Sequence, residues 1–103
     1  MNDPIKIRAS VSGTETTVRV LMPHVMESGN RKDAAGALIP AHHITDVQVT
    51  HNGRPVMAAQ FGPSVARDPL ITFRFSGGKA GDSIAVSWSD NKGATRSAQA
   101  LIL

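Results

Sequence analysis

Cysteine and tyrosine are both missing from this sequence of 103 residues. Without cysteine the chain can form neither a disulfide nor a thiolate metal site, and it has no sulfur nucleophile for covalent chemistry. Aromatic residues are scarce, with three Phe and one Trp. Because proteins that bind single-stranded nucleic acid stack the bases on aromatic side chains, this scarcity argues against that class.

Positive charge is in excess, but it is not concentrated along the chain. The formal net charge is +3, and the 11 Lys and Arg are dispersed among 8 Asp and Glu. Arg31 and Lys32 are the only adjacent pair of cations. The sequence shows no basic segment of the kind that binds a phosphate backbone, so we predict no nucleic-acid partner.

Long apolar runs are also missing, which bears on membranes and on export. No run is long enough to cross a bilayer, so no membrane partner is expected. The first ten residues, MNDPIKIRAS, include an acid and a proline and lack the apolar segment of a signal peptide. We therefore expect that the chain has no export signal of its own.

Alternation of apolar and polar residues is the main pattern that is present, and it indicates short strands rather than helices. The alternating segments are 5–11, 17–22, 47–49, 56–61, 71–76, 84–89 and 94–103. Asn52 and Gly53 predict a tight hairpin, and the segment 63–69 is expected to cross between sheets. About seven strands predict one domain over residues 1–103, an all-β, immunoglobulin-like antiparallel β-sandwich.

The longest interruption of this pattern is the segment 23–42. Loops above about 12 to 15 residues are uncommon in compact domains unless they are functional or disordered. The segment contains an unusual number of apolar residues for a loop, namely Val25, Met26, Leu38 and Ile39. Either the loop folds back on the sandwich or another protein covers it, and it is the best place to look for function.

Met22, His24 and Met26 form the first candidate site, at a spacing of two. They offer two thioethers and one imidazole, a soft ligand set that suits Cu(I). Pro23 weakens this geometry, because proline removes a ladder donor and can end the strand. Three interpretations stay open. The segment binds a metal, it contacts a partner, or Met22 closes the core while His24 and Met26 lie on a partly apolar surface.

Catalytic motifs are not found. No Gly-x-Ser-x-Gly elbow occurs, and no residue set specifies a nucleophile, a base and an orienting group. Residues 77–81 resemble a phosphate loop only superficially, because the Gly-Lys-Ser/Thr ending and the following helix are missing. Acids such as Asp82 and Asp90 lie near turns, where they can accept hydrogen bonds from nearby backbone N–H groups. A carboxylate pair could still assemble in space, but we predict no enzyme, no catalytic residue, no metal and no cofactor.

Several blocks of sequence, in order along nearly the whole chain, resemble the SoxZ family. The blocks are KIRA at 6–9, VLM at 20–22, His24, Met26 with Glu27, Gly29, RKD at 31–33, LIPAH at 38–42, NG at 52–53, QFGP at 60–63, GD at 81–82, VSW at 86–88 and DNKG at 90–93. SoxZ is the smaller subunit of the SoxYZ carrier of bacterial thiosulfate oxidation. The resemblance implies an immunoglobulin-like fold without a carrier thiol.

The resemblance also implies a partner and a location. SoxY has a flexible C-terminal arm that ends near a Gly-Gly-Cys-Gly-Gly motif, and its cysteine carries sulfur intermediates between the Sox enzymes. The implied role is a noncatalytic subunit that forms a heterodimer or a higher assembly with SoxY and contacts other Sox enzymes transiently. The implied location is the periplasm, reached by export together with SoxY, which has the export signal.

The resemblance favours the partner interpretation of the long loop. We expect Met22, His24, Met26, Arg31 and Lys32 to form the SoxY contact or to flank the path of its arm. Anionic sulfur adducts on that arm would favour nearby cations. The alternative is a small periplasmic copper-binding β-sandwich that uses Met22, His24 and Met26 as ligands.

Overall fold

The computed structural model describes residues 4–103, which form seven β-strands and contain no helix long and apolar enough for a membrane crossing. The strands are β1 (Lys6–Ser12), β2 (Glu15–Leu21), β3 (Ile44–His51), β4 (Arg54–Gln60), β5 (Leu70–Ser76), β6 (Ser83–Asp90) and β7 (Thr95–Leu101). They form two antiparallel sheets, with the strand orders β1-β2-β5 and β4-β3-β6-β7. The structure is an immunoglobulin-like β-sandwich, which confirms the predicted fold class.

The alternation of the sequence decides which side chains enter the core. In β2, Thr16, Val18 and Val20 are buried between the sheets, whereas the residues between them face solvent or are partly exposed. The same pattern buries Ile84, Val86 and Trp88 on β6. Because side chains of a strand alternate between its two faces, each strand contributes one apolar face to a single core.

The hairpin between β3 and β4 forms where it was predicted. Asn52 and Gly53 both have positive φ, 48° and 85°, as a two-residue hairpin turn of type I′ requires. Pro55 lies in β4, an edge strand, next to a register shift between Val49 and Thr50. The segment after β4 then crosses to the other sheet, where β5 pairs with β2, and this confirms the predicted crossing.

The two flanks of the sandwich differ in how well they are closed. At one flank β1 contacts β7, and the backbone of Leu103 donates to Ala9 O and accepts from Val11 N. The opposite flank lies between the edge strands β5 and β4. Apolar side chains that face the core there are only partly buried, and they are Ile71, Phe73 and Phe75 on β5 with Met57 and Ala59 on β4. We call these two edges and five side chains the open flank.

The long loop is partly ordered as an arm, which we define as residues 27–42. Glu27 and His42 exchange two backbone hydrogen bonds of 2.7 and 2.9 Å, and Lys32 pairs with Leu38 in a second bridge. Near the tip, Asp33 Oδ1 accepts hydrogen bonds from backbone N–H groups. The molecule extends 55 × 19 × 19 Å. Because strands of this length cover only about 24 to 27 Å, segments outside the strands lengthen the molecule.

Candidate partner-binding site

The arm is joined to the sandwich by a network of His24, His42 and Asp90, in which His24 and Asp90 are buried and His42 is partly exposed. Asp90 ends β6, His24 follows β2, and His42 precedes β3. His24 Nε2 lies 3.1 Å from Asp90 Oδ2, and His42 Nε2 lies 2.9 Å from the same oxygen. The network therefore fixes both ends of the long loop to the end of one core strand.

Asp90 has hydrogen-bond donors on both of its carboxylate oxygens. The imidazoles share Oδ2, while Oδ1 accepts the backbone N–H groups of Lys92 at 3.0 Å and Ala94 at 2.9 Å. Burial raises the pKa of Asp90, but the hydrogen bonds from His24, Ala94, His42 and Lys92 outweigh it and lower the pKa to about 2. Asp90 is therefore ionised at neutral pH although its side chain is fully buried.

His24 is a neutral imidazole with its proton on Nε2. Its Nδ1 accepts the backbone N–H of Met26 at 3.0 Å, so Nδ1 carries no proton and Nε2 donates to Asp90. Burial lowers the pKa of His24, and the hydrogen bond to Asp90 opposes this shift without cancelling it. A proton on Nδ1 would face the N–H of Met26, so that two donors would meet and no hydrogen bond would form. This adds to the free-energy cost of charging the His24 ring.

The cluster of two histidines and one aspartate has the composition of a metal site. The ligand atoms of His24, His42 and Asp90 lie within 4.8 Å of one another. A histidine that binds a metal through Nε2 carries its remaining proton on Nδ1, but here the Met26 N–H already points at that atom. The donor at Nδ1 therefore opposes metal binding at this cluster.

The copper interpretation meets the same obstacle at His24 and further ones at the methionines. Met26 Sδ accepts the backbone N–H of Ile44 at 3.3 Å, and Met22 is fully buried in the core. The side chains of the predicted ligand set are thus engaged in internal contacts. The structure does not favour the copper alternative.

The five residues predicted to contact a partner separate into two groups. Met22, His24 and Met26 are buried, with 0%, 1% and 7% of their surface exposed, whereas Arg31 and Lys32 on the arm are exposed. The interpretation that placed His24 and Met26 on a partly apolar surface is wrong. His24 packs against Trp88 and Asp90, and Met26 Sδ accepts the backbone N–H of Ile44. Partner contact stays a prediction, and only the two cations can make it without opening of the loop.

Arg31 is held beside a shallow groove along the arm. It donates to both carboxylate oxygens of Glu27, at 2.6 to 3.2 Å, and this hydrogen bond lowers the pKa of Glu27. The groove is lined by Val25, Met26, Glu27, Ser28, Arg31 and Arg67. Arg67 was not singled out in the sequence, because the groove forms between two loops that are distant along the chain.

The sequence identified one half of the contacts of Asp90. The expectation that Asp82 and Asp90 accept nearby backbone N–H groups is confirmed by the bonds from Lys79, Lys92 and Ala94. The pairing of Asp90 with the two histidines was missed. The available signal was the presence of two histidines at the two ends of the long loop, but no local pattern links them to β6.

We expect Asp90→Asn to lower the free energy of unfolding by about 3 kcal/mol. An amide places an N–H₂ group against the imidazole donors or against the backbone donors of the following turn, so at least one bond is lost. Urea unfolding measures the change. The matched control is Asp46→Asn on β3, which is exposed and should change stability by less than about 0.5 kcal/mol. Equal effects of the two variants would contradict the network.

The network also predicts sensitivity to acid. The folded pKa of His24 lies below the ordinary histidine pKa of 6.5, so the unfolded chain gains the proton first and stability falls as the pH drops below 6.5. Asp90 adds a further loss between pH 3.8 and about 2. Urea midpoints at about pH 7.5 and 5.5 measure the first step. In a His24→Gln variant the decrease in urea midpoint between these two pH values should be smaller. If the decrease is the same as in the unaltered chain, groups other than His24 cause it.

Comparison with known proteins adds one finding to this geometry. The family model described as "Sulphur oxidation protein SoxZ" matches residues 5–101. The matched range includes all seven strands as well as the arm and its anchoring network. No curated protein matches the chain. Since the family model covers nearly the whole sequence, the chain belongs to the SoxZ family of sulfur oxidation proteins.

Proposed function

We propose that this chain is the noncatalytic subunit of a periplasmic sulfur-carrier complex. It binds and stabilises SoxY, whose C-terminal cysteine arm carries sulfur intermediates during thiosulfate oxidation, and it is exported together with SoxY. The family has a role in sulfur oxidation, yet these 103 residues contain no cysteine. Because a carrier of this kind holds sulfur on a thiol, the reactive group belongs to another chain.

The open flank is the observation that carries this proposal. Backbone bonds at the two ends of the β2–β5 ladder join Gly77 N to Thr14 O at 2.6 Å and Met22 N to Pro69 O at 2.9 Å. Hydrogen-bonded pairs recur at every second residue of an antiparallel ladder. The backbone N–H and C=O groups of Ile71, Phe73 and Phe75 therefore hydrogen-bond to β2. The N–H and C=O groups of the other β5 residues point to the free edge, and these residues are Leu70, Thr72, Arg74 and Ser76.

The edge of β5 is less protected than the edges of β4 and β1. Edge strand β4 contains Pro55 and lies next to a register shift, and the edge of β1 is partly covered by Leu103. The sequence of β5, LITFRFS, contains no Pro or Gly and a single charge, at Arg74. Long, regular edges with high β-propensity are where proteins accept a strand from another chain.

A partner at this edge would also cover apolar surface. Ile71, Phe73 and Phe75 are partly exposed, and Leu70 is 55% exposed. Aromatic residues are enriched at the centre of protein interfaces, because they bury a large apolar area at a small cost in side-chain entropy. A strand of SoxY added beside β5 would extend the three-stranded sheet to four strands, matching the opposite sheet.

The substitution Thr72→Pro tests whether SoxY adds a strand at the free edge of β5. The Thr72 N–H points away from β2, so proline should leave the sandwich folded and weaken the affinity for SoxY by at least about tenfold. Calorimetric titration with SoxY measures the affinity, and circular dichroism verifies the fold. The matched control is Ala58→Pro on β4, whose N–H faces the other free edge according to the Phe61 N to Thr45 O bond. Equal affinities of the two variants would rule out strand addition at β5.

The cations of the arm have a separate part in the proposal. We assign Arg31 and Lys32 to the path of the cysteine arm of SoxY, beside the groove that also contains Arg67. Sulfur adducts on the carrier cysteine are anionic, and positive charge along their path attracts them. The base of the arm is held in place by three buried side chains, those of Met22, His24 and Met26.

Reversal of charge at Arg31 and Lys32 to Glu should slow sulfur transfer by on the order of tenfold at low ionic strength. The effect should shrink as salt is added, because exposed charges are screened. Turnover of the reconstituted Sox system measures the rate. The double reversal Arg54→Glu with Arg96→Glu is the control, since both residues are exposed and lie outside the arm and its anchoring network. Unchanged turnover in the first variant would count against the assignment, and thiosulfate oxidation by the isolated chain would overturn its noncatalytic role.

A further inference from the structure

The outward face of the three-stranded sheet carries a basic patch whose residues are far apart in the sequence. Strand register aligns its outward residues in rows across β1, β2 and β5. Successive rows are Lys6, Leu21 and Leu70, then Arg8, Arg19 and Thr72, then Ser10, Thr17 and Arg74. We call Lys6, Arg8, Arg19 and Arg74 the basic face.

Arg8 and Arg19 lie directly opposite each other at the centre of this face. Opposite residues of an antiparallel pair have Cβ atoms about 4.5 to 5.5 Å apart, and like charges in these positions destabilise the sheet. Arg74 lies 3.9 Å from Glu15, but neither Arg8 nor Arg19 forms an ion pair with a carboxylate of residues 4–103. The repulsion is therefore not relieved inside the described part of the chain.

We propose that the basic face binds an acidic surface of a second protein. The carboxylates of such a surface would relieve the repulsion between Arg8 and Arg19. The neighbouring row presents the exposed Leu70 and the partly exposed Leu21, so that charge and apolar contact lie side by side as in protein interfaces. This surface is the face of the sheet and not its edge, and it does not depend on strand addition at β5.

Other anionic partners fit the face less well. None of the residues in its rows is aromatic, so it offers no stacking platform for single-stranded nucleic acid. The cations cover only about 10 by 14 Å, which is short for a duplex backbone.

A charge reversal within the pair gives a test with opposite effects on binding and on stability. The probe is a fluorescein-labelled decaglutamate peptide, followed by fluorescence anisotropy with the full chain. Arg19→Glu should raise the dissociation constant at least about tenfold, because it removes a cation and adds an anion at the centre of the face. The urea midpoint should stay unchanged or rise, since Glu at this position pairs with Arg8.

Two further variants locate the effect. Arg54→Glu makes the same change of charge on β4, in the other sheet, and should alter the dissociation constant by less than about twofold. Arg8→Gln removes one charge without reversing it and should give an intermediate loss. Binding by the unaltered chain should weaken steeply between about 20 and 150 mM NaCl.

The outcomes that would overturn the proposal are specific. Equal losses in Arg19→Glu and Arg54→Glu would show that net charge alone acts on the peptide. Failure of the unaltered chain to bind decaglutamate at low salt would remove the acidic protein surface as a partner. Tighter binding to duplex DNA or to phosphatidylglycerol vesicles than to the peptide, lost in Arg19→Glu, would assign the face to a different class of ligand.

Discussion

A single buried carboxylate determines where the arm leaves the sandwich. Asp90 binds His24 and His42, which lie at the two ends of the long loop, and its second oxygen binds the turn after β6. Leaving such a charge without its donors costs several kcal/mol, on the order of 3 to 5. The same contacts hold Met26 at a φ of 51°, a left-handed conformation that is uncommon for residues other than glycine.

This anchoring fixes the base of the arm, and the tip of the arm is exposed. The neutral imidazole of His24 and the ionised Asp90 use their hydrogen-bonding atoms within the chain, so the network supports structure and is poorly suited to hold a metal. The arm beyond it exposes Arg31 and Lys32. The polar groups of the network therefore position the arm, and the two surfaces proposed for partners, the open flank and the basic face, lie elsewhere.

Those surfaces differ in physical character. The open flank offers unpaired backbone groups and half-buried aromatic side chains, which suit a partner that stays bound. The basic face offers opposed cations on a solvated sheet, where attraction is strong at a distance and weakened by salt, as in partners that exchange. The proposed carrier role would use the first kind of surface, and the proposed acidic partner would use the second.

Local periodicity in the sequence determined the strands, the faces they bury, the Asn52-Gly53 hairpin and the interruption that became the arm. These features depend on neighbours within a few residues, through side-chain alternation and turn conformation. The tertiary structure alone decided that His24 meets Asp90, 66 residues away, and that Arg8 faces Arg19. The first contact depends on how the two sheets pack, because β2 and β6 lie in different sheets. The second depends on the register of β1 against β2, where a shift of one residue would send the side chains of one strand to the opposite face.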